Sequence, residues 1–201
     1  MTSLGRQNAY SRRVASVQAE LTARKGNNFV TDSILKQLGI PADYGERNSL
    51  PRFLEPKALV DVGPNIVGRA QRLVPEAADA WVRMKEQAQE DGATLLLVSG
   101  FRSIEYQAEL FRNKLAKGQK IEDILCVNAA PGYSQHHSGC AVDLATKGSR
   151  PLTEEFEQTD AFAWLTANAG AFNFCMPYDR SNSWGITYEP WHWLFIPEES
   201  S

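Results

Sequence analysis

Residues 134–143 read Ser-Gln-His-His-Ser-Gly-Cys-Ala-Val-Asp, a polar turn running into a strand-like alternation, and the fold is decided here. His136 and Asp143 stand seven residues apart. Gly139 between them lets the chain bend, and the small Ala141 leaves room beside the two side chains. A turn followed by a strand over Cys140 to Ala145 would bring an imidazole and a carboxylate to one place. The chain has 3 histidines in all, His136, His137 and His192, and they fall in two short polar islands beside carboxylates.

The second island is Tyr188-Glu189-Pro190-Trp191-His192-Trp193. A catalytic zinc ion takes three protein ligands drawn from His and carboxylate, at roughly 2.0–2.2 Å, and keeps a position open for water. His136, Asp143 and His192 supply that set. Glu189 lies three residues before His192, and on a regular strand the two would point to opposite faces. Pro190 donates no hydrogen bond and forces Glu189 into an extended conformation, which predicts an irregular start to the strand. Glu189 can then lean over the metal without binding it and serve as general base for the hydrolytic water. Taken singly, a His next to Gly is more often an exposed turn residue and a Glu at a strand end a solvated one. The Asp at its fixed offset and the second island together outweigh those readings. His137 either supports a ligand or faces solvent, the latter being favoured.

Outward from these islands, the chain reads as one folded domain of 201 residues, with 43% hydrophobic residues to build its core. Its 24 acidic and 21 basic residues give a net charge of −3, which offers no footprint for nucleic acid or an anionic membrane. No run of about 18 apolar residues is present, so a transmembrane segment is not expected, and the N-terminus carries no apolar signal core. Cys126, Cys140 and Cys175 cannot all pair within the chain and form no CxxC knuckle. Buried thiols are favoured over a single bridge.

Residues 1–28 carry Arg6, Arg12, Arg13, Arg24 and Lys25, with Tyr10, Val14, Val17 and Leu21 at helical spacing, and predict a basic amphipathic helix packed on the domain of residues 29–201. Gly39 to Pro64 reads as a loop-rich wrap. Pro75 at a first turn, the stripe Ala77, Trp81, Met84 and Ala88, and Gly92 as a stop predict a helix. Thr94 to Val98 reads as a buried strand, Ser99 to Arg102 as a turn, and Ser103 as the N-cap of a helix ending at Gly118. A helix from about Asp160 to Ala169 and a last strand from Ile186 to Ile196 complete an α+β domain. Arg102, at the strand-to-helix turn, can offer bidentate hydrogen bonds to a carboxylate or to a developing oxyanion.

Three segments together resemble the D-alanyl-D-alanine carboxypeptidase family of zinc peptidases, related to the vancomycin-resistance D,D-peptidases. Ser99-Gly100-Phe101-Arg102-Ser103 is similar to its Ser-Gly-Phe/Tyr-Arg-Ser/Thr turn, residues 134–143 to its Ser-x-His-x-x-Gly-x-Ala-x-Asp signature, and Glu189-Pro190-Trp191-His192 to its Glu-x-Trp-His ending. The resemblance implies a small antiparallel sheet carrying the zinc site and flanked by helices, as in hedgehog and D,D-peptidase folds. It implies zinc on His136, Asp143 and His192, Glu189 as base, Arg102 stabilising negative charge, and Ser134 and Gln107 touching substrate. The implied substrate is a peptidoglycan stem peptide or muropeptide losing its terminal D-alanine, and the implied location is the cell envelope or periplasm. Gln135 stands where relatives often carry Glu, Cys140 fills a position usually taken by other residues, and Leu194 replaces a frequent Arg, which leaves substrate recognition open. An L,D-carboxypeptidase, a wall endopeptidase and a non-catalytic zinc-binding module are the rival readings.

Overall fold

The computed structural model describes residues 28–197. The predicted helix of the first 28 residues lies almost wholly outside this range. Helix α1 (Asn28–Gln37) and the short α2 (Tyr44–Arg47) lead to a hairpin of β1 (Val60–Pro64) and β2 (Ala70–Leu73). Helix α3 (Pro75–Glu90), strand β3 (Leu96–Ser99) and helices α4 (Ile104–Ala116) and α5 (Ile121–Val127) follow. The second half carries β4 (Ala141–Ala145), α6 (Asp160–Asn168), β5 (Phe174–Cys175) and β6 (His192–Phe195), with 3-10 turns between. Strands β3, β4, β6 and β5, in that order, make an antiparallel sheet. This is the α+β architecture that the segment order predicts.

Local chemistry sets the helix ends. Pro75 occupies the first turn of α3, where its missing N–H costs nothing, and Gly92 (φ +87°) provides the left-handed stop. The Ser103 hydroxyl caps α4 by accepting from the Tyr106 N–H at 3.1 Å. Period-2 alternation then sorts the sheet's faces: Val142, Leu144, Trp193 and Phe195 point into a core shared with Trp81, Met84 and Leu165 of α3 and α6. A second core joins Ile34 and Leu35 of α1 to Phe111 of α4 and Ile124 of α5. The site lies where these two bodies of apolar packing meet.

Several sequence expectations are corrected. The wrap from Gly39 to Pro64 contains α2 and β1, and α5 was not foreseen; all three are short, too short for a periodic pattern to show, and β1 is fixed by pairing with β2. The last strand begins at His192 and not at Ile186, because residues 179–191 fold as turns held by side chains such as Asn182, whose Nδ2 donates to both Asp179 O and Ile186 O. Among the described residues no disulfide is formed, and Cys126 is exposed while Cys140 and Cys175 are half-buried. No described helix is long and apolar enough to cross a membrane.

Gly45 in α2 presses on Tyr133, and a β-carbon there would collide with the ring. Tyr133 is itself fixed, edge-on to Tyr44 and with the Arg52 guanidinium over its face. Gly45→Ala is therefore expected to lower stability by about 1–3 kcal/mol, the usual cost of overpacking, read as a lower denaturant midpoint at unchanged slope.

Candidate active site

Three adjacent strands carry the site at one level of the sheet. Ser99 on β3, Asp143 on β4 and His192 on β6 are direct cross-strand partners. Asp143 emerges on the face opposite Val142 and Leu144, away from the core. The register slips between Leu97 and Ser99, so that Leu97 pairs with Leu144 and Ser99 with Asp143. This bulge turns Ser99 toward the Asp143 face while Leu97 stays in the core.

His136 comes from the 3-10 turn Gln135–Ser138 just before β4. Gly139 (φ +71°) closes that turn, and any β-carbon on it would meet Leu59 and Val74 at 3.0 and 3.1 Å. Here the motif's glycine answers both to a left-handed backbone and to close packing. Asp143 Oδ2 lies 3.1 Å from His136 Nε2, and Asp143 Oδ1 lies 2.9 Å from His192 Nδ1. One ligand atom from each of the three residues falls within 4.8 Å of the others, and all three residues are buried.

The remaining ring nitrogens explain this arrangement. His136 Nδ1–H donates to the Gly100 carbonyl at 2.7 Å, and His192 Nε2–H donates to Gln135 Oε1 at 2.8 Å. With those protons placed outward, the neutral imidazoles aim bare nitrogens toward the same carboxylate. Three acceptors converging on one buried point repel one another unless a cation lies among them, and two nitrogens with one carboxylate oxygen are a donor set that zinc accepts. Burial alone would raise the Asp143 carboxyl; positive charge at the cluster, a proton on His136 and His192 or a cation in its stead, holds the group far below the usual carboxylate range. Burial lowers the His136 imidazole, which favours the neutral, ligating form.

Glu189 reaches the same place by a turn. The His192 N–H donates to the Glu189 carbonyl at 3.1 Å, which puts Pro190 at the second position of a tight turn. The Glu189 N–H donates to Tyr178 O at 3.0 Å, and the Leu144 N–H donates to Trp191 O at 2.9 Å, so both ends of the turn are tied to the fold. The carboxylate stands 4.0 Å from His192 Nδ1, beside the cluster without joining it. Burial pushes its carboxyl up to about 7, opposed by His192 and Arg102 and reinforced by Asp143.

Arg102 Nη1 donates to Gln107 Oε1 at 3.0 Å and Nη2 to Ser99 Oγ at 3.3 Å, and Nη2 lies 3.6 Å from Asp143 Oδ2. Gln107 Nε2 in turn donates to the Ala129 carbonyl at 2.8 Å, so both ends of its amide serve to hold Arg102. Ser134, Gln107, Arg102 and Glu189 all line one cleft of about 330 Å³ that opens over the cluster. Every residue predicted for the site is thus brought together. Two were missed. Tyr178 stacks on the His192 ring with centroids 4.8 Å apart, and nothing in its sequence neighbourhood signals this. Gln135 orients His192, a role its place beside His136 could have suggested.

His137 does not face solvent. It is fully buried, its Nδ1–H donating to the Arg102 carbonyl at 2.6 Å and its Nε2 accepting from the Gly132 N–H at 3.1 Å. Burial pushes its pKa down to about 3, so it is a neutral staple between two turns.

The family described as VanY, D-alanyl-D-alanine carboxypeptidase, matches residues 70–198. The chain is 32% identical over 180 residues to the putative carboxypeptidase YodJ of Bacillus subtilis, covering 85% of this chain and 64% of that protein. Its fold is similar to that of the LdcB LD-carboxypeptidase, at TM-score 0.65 and 30% identity, covering 72% of this chain and 71% of the other. It is also similar to a mutant of the vancomycin resistance D,D-pentapeptidase VanY in complex with Zn(II), at TM-score 0.54 and 25% identity, covering 70% and 79% of the two chains. The chain belongs to the VanY family of D-alanyl-D-alanine carboxypeptidases.

Replacing His137 by Ala leaves the Gly132 N–H and the Arg102 carbonyl without partners in a buried site, each costing about 1–3 kcal/mol. His137→Ala is expected to destabilise the fold by about 2–4 kcal/mol in a denaturant titration, more than a surface His substitution would.

Proposed function

We propose that this protein is a zinc-dependent carboxypeptidase that removes the C-terminal D-alanine from peptidoglycan stem peptides, residues 29–201 forming one peptidase domain. The observation that carries the reading is the buried His136, Asp143 and His192 cluster with Glu189 standing 4.0 Å from a ligand nitrogen and not among the ligands. Family membership and the Zn(II) complex of the related VanY support the choice of metal and of chemistry.

His136 Nε2, Asp143 and His192 Nδ1 would hold the ion. When bound, zinc supplies Lewis acidity, making water a nucleophile near neutral pH and polarising the scissile carbonyl. Glu189 takes the proton of the attacking water and delivers it to the leaving amine, a dual role suited to a carboxyl raised to about 7. Arg102 is held by Gln107 and Ser99 with its guanidinium toward the cleft, where it meets negative charge as it develops on the carbonyl oxygen. Gln135 and the Gly100 carbonyl fix the imidazole tautomers, and Tyr178 holds the His192 ring by stacking. The likeness to the LdcB LD-carboxypeptidase favours a second reading in which the residue before the released D-alanine has the L configuration.

Metal content and product mass decide between these. One zinc per chain and chelator-sensitive loss of a single alanine from a peptide ending in D-Ala-D-Ala are the expected results; loss only from a peptide ending in an L-residue followed by D-Ala would select the L,D reading. Glu189→Gln is expected to retain zinc while kcat falls about 10²- to 10⁴-fold, whereas Asp143→Ala is expected to lose the metal. Full turnover in the first variant, or unchanged zinc affinity in the second, would remove the assignment. Gln135→Ala should weaken zinc binding about 10- to 100-fold, measured by competition with a chromogenic chelator.

A further inference from the structure

The turn that carries Glu189 is tied to the rest of the protein by an exposed cluster that the chemistry above leaves unused. Arg180 Nη2 lies 2.9 Å from both carboxylate oxygens of Glu157 and 3.2 Å from Glu154 Oε2. The same guanidinium covers the Tyr188 side chain, its Cζ standing 4.0 Å from the ring centroid. Hydrogen bonds from the Tyr188 hydroxyl and from Arg180 hold the Glu157 carboxyl below its usual range. Arg180, Glu157 and Tyr188 thus form a closed circuit of contacts, and Tyr188 is the residue immediately before Glu189.

The two sides of this circuit belong to different parts of the fold. Glu154 and Glu157 stand on the 3-10 turn Glu154–Gln158, whose Phe156 is 1% exposed and packs in the core between the sheet, α3 and α6. Arg180 and Tyr188 belong to the segment 178–191, whose Tyr178 and Ile186 pack in the second core. That segment has no helix or strand of its own, so side-chain contacts decide where its far end lies. The circuit straps it across the seam where the two cores meet. A single exposed ion pair contributes about 0–1 kcal/mol, and as a stability device the cluster would count for little. Position is a stricter demand, since a displacement of about 1 Å at a reacting group can cost about 10²-fold in rate. We propose that Arg180 is a positioning residue: by clamping Tyr188 to Glu157 it fixes the turn that holds Glu189 over the His136, Asp143 and His192 cluster. This inference rests on the peptidase reading given above, in which Glu189 is the base.

The test uses Arg180→Met, Arg180→Lys and, as a control, Arg150→Met, which breaks the neighbouring exposed pair with Glu155. Rates of D-alanine release are measured for the zinc-loaded proteins on a peptide ending in D-Ala-D-Ala or in L-Lys-D-Ala, whichever the wild type hydrolyses. Amide hydrogen exchange is followed in parallel over residues 186–191 and 192–196. Arg180→Met is expected to lower kcat about 10-fold, with KM, zinc affinity and unfolding midpoint unchanged, and to speed exchange over 186–191 while β6 stays protected. Arg180→Lys should recover part of the rate, and Arg150→Met should match the wild type in both measurements. Unchanged kcat or unchanged exchange in Arg180→Met, a loss confined to KM, or an equal loss in Arg150→Met would each overturn the proposal. A wild type that releases no D-alanine from either peptide would sink the peptidase reading, while the exchange comparison still judges whether Arg180 holds the turn.

Discussion

A buried carboxylate held between two imidazoles is the constraint around which this structure is arranged. Asp143 has apolar packing on one side and His136, His192 and Arg102 within 3.6 Å on the other, and as a buried carboxylate it needs positive charge at that cluster to stay ionised. Each of those partners has its own support. His136 is held through Gly100, His192 through Gln135 and Tyr178, and Arg102 through Gln107 and Ser99. The antiparallel register makes this economical, since Ser99, Asp143 and His192 become neighbours once three short strands pair. An error of one residue in that register would turn Asp143 into the core and Val142 into the cleft.

Much of the site was legible because its chemistry is rare and local. His and Asp in one bend, with a glycine between them that closes a left-handed turn, leave few alternatives, and Pro190 announces the turn that brings Glu189 to His192. The α3 stripe and the Ser103 cap were readable for the same reason, as both follow from spacings of three and four residues along a helix. What stayed hidden depends on residues distant in sequence. Tyr178 reaches His192 only after the loop before β6 folds, and the hairpin of β1 and β2 gains its meaning from docking on β3. His137 was misjudged because adjacent histidines look alike in sequence; a 3-10 turn sends one ring to the cluster and its neighbour into the packing beneath Arg102.

The cleft wall is built differently from its floor. The floor is made of sheet residues whose places are set by backbone pairing. The wall is drawn from α4, α5, the turn after β4 and the turns before β6, where side chains such as Val127 and Leu152 are exposed. Leu152 adopts a left-handed backbone (φ +57°), a conformation that costs a branched aliphatic residue some strain. Related chains can therefore keep the floor and vary the wall, which accords with the likeness of this fold both to an LD-carboxypeptidase and to a D,D-pentapeptidase.

The hairpin of β1 and β2 lies against the outer side of β3, where the Ile66 N–H donates to the Leu97 carbonyl at 3.0 Å and Asn65 Nδ2 to the Val98 carbonyl at 2.9 Å. At the far side the sheet ends in β5, only two residues long. One border of the sheet is thus sealed and the other too short to template a foreign strand. For a peptidase this has a use: among the described residues neither border of this sheet competes with the cleft for an extended chain.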